Sequence, residues 1–290
     1  MAETGNPVAF TKMHGLGNDY LYIDIREMPP EQHPDWSDLA VRMSDRHFGV
    51  GSDGIILIAP STVADVKMRI FNADGSESEM CGNGLRALAK WLFDRKQLGH
   101  RQAVETGAGV LHPEVLLSDA DGRARRIRVN MGPPRFSRGA VGMAGDPEQI
   151  CLEQPLEVDG ETVMVSCVSM GNPHLMLFGD IWDVDKMAVM GSKIEHHPWF
   201  PHRINVHSVE VVDSGHLRMR HWERGAGLTL ACGTGVAAAT AAAAATRRAK
   251  RAVRVDVPGG QLDAVWDEET NAVFLTGPAV EVCQGTFALR

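Results

Sequence analysis

Cys81-Gly82-Asn83-Gly84 and Cys232-Gly233-Thr234-Gly235 are two copies of one short stretch, 151 residues apart. At the same offset Lys67-Met68-Arg69-Ile70-Phe71-Asn72 falls on Arg218-Met219-Arg220-His221-Trp222-Glu223, and Ala87 falls on Ala238. An offset of 154 residues lays Gly17-Asn18 and Leu21-Tyr22-Ile23 on Gly171-Asn172 and Leu175-Met176-Leu177. Each copy reads as a strand, a glycine-bearing loop, Cys-Gly-x-Gly and a helix. A unit that fills about half the chain and occurs twice makes no solenoid; it predicts two similar domains facing each other.

After the first copy, apolar residues at Leu85, Leu88, Ala89, Leu92 and Phe93 keep a helical period and predict a helix over 85–98, stopped by Gly99. The alanine-rich run from Val236 predicts a second helix to about 249, slim enough to lie deep against a sheet. An early helix is expected over 37–46. Strand-like runs occur at 55–58, 104–106, 127–129, 163–168, 175–178, 206–212, 253–257 and 273–275. Many strands with one or two helices per half indicate mixed α+β domains. Met131-Gly132-Pro133-Pro134 is the natural join, giving halves 1–131 and 132–276.

The bulk properties narrow the function. The 290 residues carry a net charge of −8, against a dedicated nucleic-acid binder. The basic cluster Arg247, Arg248, Lys250, Arg251 and Arg254 suits a helix C-terminus. The longest apolar run, 236–245, is too short for a membrane span, so no membrane partner is expected. The first six residues lack a basic start and an apolar stretch, which argues against a secretory leader. Five cysteines without a CxxC pair suit reduced thiols in the cytoplasm. His196, His197, His202 and His207 match no ligand motif and are assigned to a proline-rich loop, so no metal is expected.

A cysteine at a helix start meets N–H groups without internal partners and the positive end of the dipole. Its pKa is therefore expected below the free value of about 8.5. The neighbouring glycines let an anion such as a carboxylate approach the same N–H groups. Cys151, Cys167 and Cys283 lack this setting and read as buried apolar residues. Two helix-capped cysteines flanking one cleft supply a base on one face of a carbon and an acid on the other, sharing one proton. That is the requirement for inverting a stereocentre without moving a base, and no pyridoxal site is evident.

At these residues the chain resembles the diaminopimelate epimerase family. The resemblance runs from Phe10 to about Phe287. It is carried by Lys12-Met13-His14-Gly15-Leu16-Gly17-Asn18-Asp19, Asp45-Arg46-His47-Phe48-Gly49-Val50-Gly51 and Asn72-Ala73-Asp74-Gly75, then the first Cys-Gly-x-Gly. It continues through Met131-Gly132-Pro133, Gly171-Asn172-Pro173-His174, Asn205-Val206, Glu223-Arg224-Gly225 and Ala231-Cys232-Gly233-Thr234-Gly235. The resemblance implies an α+β fold of two pseudo-symmetric domains, each a curved, mostly antiparallel, barrel-like sheet wrapped around a central helix, with the active site in the cleft. It implies that the last strand, 277–290, returns to the first half. It implies Cys81 and Cys232 as the cofactor-independent acid/base pair, tuned by His174 and Glu223. Substrate contacts carry over to Asn18, Asn72, Gly82, Asn83, Asn172, Asn205, Glu223, Arg224, Gly233 and Thr234. The implied reaction interconverts LL- and meso-diaminopimelate in lysine and peptidoglycan precursor synthesis, in a homodimer. Leu228 and Gly54 depart from the family pattern, which usually has glutamate at the first position and in some members glutamine at the second.

Three rivals follow from the same residues. A proline or hydroxyproline racemase shares the two-thiol logic but typically has histidine where Asn83 stands. A thiol redox couple needs the two sulfurs close enough to bond. A non-catalytic amino-acid clamp would bind without exchanging any Cα proton.

Overall fold

The computed structural model describes residues 7–289. Residues 1–6, on which the reading of the leader rests, lie outside the described residues. The chain divides into two compact units, Met1–Val129 with Gly277–Arg290, and Asn130–Thr276.

The first unit opens with β1 (Val8–Gly15) and β2 (Asn18–Asp24), joined by a two-residue turn. Leu16 and Gly17 both hold positive φ there, 59° and 90°, the turn whose twist matches a hairpin. Helix α1 (Trp36–Ser44) is capped by the Asp35 carboxylate and buries Trp36, Leu39, Ala40 and Met43. It crosses to β3 (Gly54–Ala59), which lies parallel to β2. β4 (Val66–Asn72) pairs antiparallel with β3, and β5 (Glu77–Ser78) folds back on β4 and leads into α2 (Gly82–Asp94). β6 (Val104–Thr106) runs parallel to β4, β7 (Gly109–Leu111) pairs with β6, and β8 (Glu114–Ser118) pairs with β9 (Ala124–Asn130).

The second unit repeats the plan. After the short α3 (Arg138–Val141) come β10 (Gln154–Val158), β11 (Glu161–Ser169) and β12 (Pro173–Phe178) as an antiparallel run. Helix α4 (Val184–Glu195) crosses to β13 (Asn205–Asp213), parallel to β12. β14 (His216–Glu223), β15 (Gly227–Thr229) and α5 (Gly233–Ala245) follow as β4, β5 and α2 do. β16 (Ala252–Val257) is parallel to β14, followed by β17 (Gly260–Trp266) and β18 (Val273–Gly277). Finally β19 (Val280–Phe287) pairs with β1, taking the place in the first unit that β10 takes beside β11 in the second.

The fold is thus mixed α+β, with each sheet mostly antiparallel and each unit holding one helix against several strands. Helix α2 buries Leu85, Leu88, Ala89 and Leu92 completely. Helix α5 buries almost nothing but alanine, so β11, β12, β13, β16 and β17 all reach it.

Three expectations need correction. Both long helices end earlier than the sequence suggests, at Asp94 and Ala245 rather than at 98 and about 249. Lys96 and Arg247 adopt left-handed backbone and donate to the carbonyls of Phe93 and Ala244, while Gln97 and Arg248 reach back to Leu92 and Ala243. This double bond pattern terminates a helix and usually employs glycine, so its absence hid both stops. Cys283 is exposed rather than buried, because β19 forms the sheet edge. His207 lies in β13, fully buried, not in the proline-rich loop.

Candidate active site

Each Cys-Gly-x-Gly places its cysteine at the N-cap of a buried helix. In the first unit, Cys81 Sγ accepts the Gly84 N–H at 3.4 Å and lies 3.5 Å from Asn18 Oδ1. Asn83 Nδ2 donates to the same Asn18 oxygen at 3.3 Å, and Asn18 Nδ2 donates to Asp53 at 2.7 Å. The unit thus gathers Asn18, Cys81, Gly82 and Asn83. Asn72, at the end of β4, instead donates to Ser76 and Ser78, both at 3.0 Å.

In the second unit, Cys232 is 3% exposed and its sulfur lies 3.7 Å from the Thr234 hydroxyl. Thr234 Oγ1 accepts from Asn172 Nδ2 at 3.3 Å, and Asn172 Oδ1 faces His174 Nε2 at 2.9 Å. Asn205 bridges two segments: its Nδ2 donates to the Pro173 carbonyl at 2.8 Å and its Oδ1 accepts the Arg224 N–H at 2.9 Å. Arg224 also donates to the His202 carbonyl at 3.1 Å, and Glu223 accepts from the Thr229 hydroxyl at 2.6 Å. Leu228, the family departure, is 41% exposed beside Thr229, so the contact that holds Glu223 comes from its neighbour. Gly54 has φ 155°, and a Cβ there would meet the Phe71 carbonyl at 2.2 Å; this backbone has no room for glutamine.

The electrostatics reverse one expectation. Burial pushes the Cys81 thiol up, against the lowering effect of the Gly84 N–H and the Tyr20 hydroxyl. Burial pushes Cys232 well up, the Glu223 carboxylate adds to it, and the Thr234 hydroxyl opposes it. Desolvation of a charge outweighs a few aligned N–H groups, more fully at the covered Cys232 than at Cys81, which is half-buried. Both sulfurs therefore rest as weak acids whose conjugate thiolates are strong bases.

Residues that the sequence did not single out complete both sites. Tyr20 presents its hydroxyl to Cys81, and Tyr22 donates to the Gly84 carbonyl at 2.8 Å. Arg86, fully buried, donates to Asn83 Oδ1 at 2.7 Å, and burial pushes its guanidinium down to about 10. Strand alternation around Asn18 would have flagged the tyrosines; nothing local distinguishes Arg86. In the second unit His174 Nδ1 lies 2.9 Å from His207 Nε2, and His207 Nδ1 lies 3.0 Å from His221 Nδ1. All three imidazoles are completely buried. Burial pushes His174 and His221 down to about 3 and His207 well below its ordinary value, so all three are neutral near pH 7.

Among the described residues His174, His207 and Cys232 offer ligand atoms that all lie within 4.8 Å of one another. The facing nitrogens of the two histidines are already engaged with each other, so a cation there would have to break that hydrogen bond.

A family model described as diaminopimelate epimerase matches residues 10–137 and 166–282. A diaminopimelate epimerase of Acetivibrio thermocellus is 47% identical over 282 residues, covering 97% of this chain and 99% of the relative. One of Heliobacterium modesticaldum is 45% identical over 281 residues with the same coverage. Among solved structures, a PhzF-family phenazine biosynthesis protein of Bacillus anthracis matches at a TM-score of 0.69 and 18% identity, covering 98% of this chain and all of that one. A probable proline racemase of Agrobacterium radiobacter matches at 0.69 and 16%, covering 98% and 93%. These two show the fold alone. The family model and the near-full-length identity establish that this chain belongs to the diaminopimelate epimerase family.

Proposed function

We propose that this chain interconverts LL- and meso-diaminopimelate without a cofactor, with Cys81 and Cys232 as the two proton-transfer groups, one for each face of Cα. The observation that carries the reading is the duplicated N-cap cysteine, each at the start of a buried helix. Removing a Cα proton needs a strong base, and a desolvated thiolate is one. The pair holds one proton: the thiolate removes Cα–H, the thiol delivers to the opposite face, and the roles are exchanged for the reverse reaction. The first-turn N–H groups at Gly82-Asn83 and Gly233-Thr234 would bind the α-carboxylate and stabilise charge that develops on it. His174 and Glu223 would set the environment of Cys232. Asn18, Asn72, Asn172, Asn205 and Arg224 would hold the substrate, the arginine taking the distal carboxylate.

The free state of all five cysteines suits a reducing cytoplasmic setting. The edge strand β19, with Val280, Val282 and Cys283 exposed, suits pairing with a second copy in a homodimer.

The test is NMR of LL-diaminopimelate with the reduced protein in D2O. Deuterium at Cα together with the meso isomer is expected, and each single Cys→Ala variant should abolish the interconversion. Binding with no exchange would instead indicate the clamp, and turnover of proline but not diaminopimelate the racemase.

A further inference from the structure

We propose that His207 and His221 are positioning residues that fix the tautomer of His174 and, through Asn172 and Thr234, aim a hydroxyl proton at Cys232 Sγ. The hydrogen bonds form one unbroken run in the second unit: His221 to His207 at 3.0 Å, His207 to His174 at 2.9 Å, and His174 to Asn172 at 2.9 Å. It continues from Asn172 to Thr234 at 3.3 Å and ends with Thr234 3.7 Å from Cys232.

The direction of this run follows from the amide. Asn172 Nδ2 donates to Thr234, so Asn172 Oδ1 accepts, and His174 must carry its proton on Nε2. His174 Nδ1 is then a lone pair, which His207 Nε2–H fills. His207 Nδ1 is in turn a lone pair, filled by His221 Nδ1–H. Thr234 Oγ1, already accepting from the amide, has its own proton free for the sulfur. Every donor therefore points towards Cys232.

The far end decides between this polarity and its reverse. Among the described residues, His221 Nε2 is buried without a hydrogen-bond partner. In the forward direction it is a bare lone pair; in the reverse it would be a buried N–H with no acceptor, the rarer and costlier orphan. The reverse would also turn the Asn172 amide and make the sulfur a donor, which only the thiol can be. The forward run, in which each bond polarises the next, therefore favours the thiolate of Cys232 without placing a net cation beside it. An amide does not pass a proton on, so the run orients the thiol's surroundings and does not conduct. Nothing in the short sequence around Cys232 shows this: His207 and His221 lie 25 and 11 residues before it, on neighbouring strands β13 and β14.

The proposal rests on Cys232 being a proton-transfer group only for its purpose; its test uses no substrate, so its failure and that of the turnover experiment are separable. Long-range 1H–15N spectra of the 15N-labelled protein at pH 7 should show Nε2–H at His174, Nε2–H at His207 and Nδ1–H at His221. A proton on Nδ1 of His174 overturns the proposal, whether or not any variant folds. In a Cys81→Ala background, the rate of Cys232 alkylation by iodoacetamide is then followed against pH by mass spectrometry of its peptide. His207→Leu should raise the midpoint by about one pH unit, a roughly tenfold slower reaction at any pH below it. His207→Gln, whose amide can accept from His221 and donate to His174, should restore the original midpoint. An unshifted midpoint in His207→Leu, or no restoration by glutamine, overturns the proposal.

Discussion

Lys96 and Arg247 occupy matched places in the two halves, hold left-handed backbone at φ 54° and 58°, and close their helices with the same pair of hydrogen bonds. A residue with a Cβ is strained in this conformation by about 1 kcal/mol or more, and glycine is not. Lys96→Gly and Arg247→Gly should each stabilise the protein by up to about 1 kcal/mol, less the added flexibility of the unfolded chain. Urea melts would read the gain, and turnover should not change.

The two Cys-Gly-x-Gly copies should not tolerate the same substitution equally. A Cβ at Gly84 would meet Ile56 Cδ1 at 2.6 Å, the movable end of a flexible side chain. A Cβ at Gly235 would meet His207 Cε1 at 2.5 Å and Cys232 Sγ at 3.1 Å, and that ring is held at both nitrogens. Gly235→Ala should cost about 1–3 kcal/mol and lower turnover at least tenfold, on the order of 1.4 kcal/mol in the barrier. Gly84→Ala should do less on both counts. Equal effects would mean that the imidazole is not fixed as described.

The three buried histidines give stability a sign with pH. Their folded-state values are depressed, so the unfolded chain binds protons that the folded chain refuses. Their contribution is complete above the ordinary histidine value near 6.5 and is lost as pH falls towards the folded values. Between pH 7 and pH 5.5 the three together should lower unfolding free energy by up to about 4 kcal/mol. Denaturant titrations at the two pH values measure this directly, and His221→Phe should flatten the dependence.

The thiols move the other way. Because burial raises Cys232 and the Glu223 carboxylate adds to it, the acid limb of turnover should lie above the ordinary thiol range. Glu223→Gln removes that negative charge and should lower the alkylation midpoint of Cys232. A midpoint that rises in this variant would contradict the assigned electrostatics.

Glu195 anchors the turn that follows Glu223. Its carboxylate, 3% exposed, accepts from Trp222 Nε1 at 2.7 Å and from the Gly225 N–H at 3.0 Å. Glu195→Ala takes the acceptor from the half-buried Trp222 and the exposed Gly225, and should cost about 1–2 kcal/mol. It should also raise KM by loosening the backbone that carries Arg224.

Much of this was legible in the chain, for a physical reason in each case. The repeat of Cys-Gly-x-Gly after a strand marks a helix start because glycine and a capping side chain are local requirements. The helix ends were not legible, since Lys96 and Arg247 reach by tertiary constraint a conformation that sequence reading assigns to glycine. The thiol electrostatics were misread because burial is a property of the whole unit, and Cys232 gives no local sign of being covered. His207 and His221 were missed for the same reason: their contact is made across β13 and β14, at the register that sets His207 opposite His221.

The alanine helix has a consequence for how the two halves can be exchanged. Around α2 the volume is filled by Leu85, Leu88 and Leu92 from the helix itself, whereas around α5 the strands must fill it. Grafting residues 82–94 into 233–245 would overfill one core, and the converse graft would hollow out the other. The halves still share a blueprint, but they have ceased to be spare parts for each other.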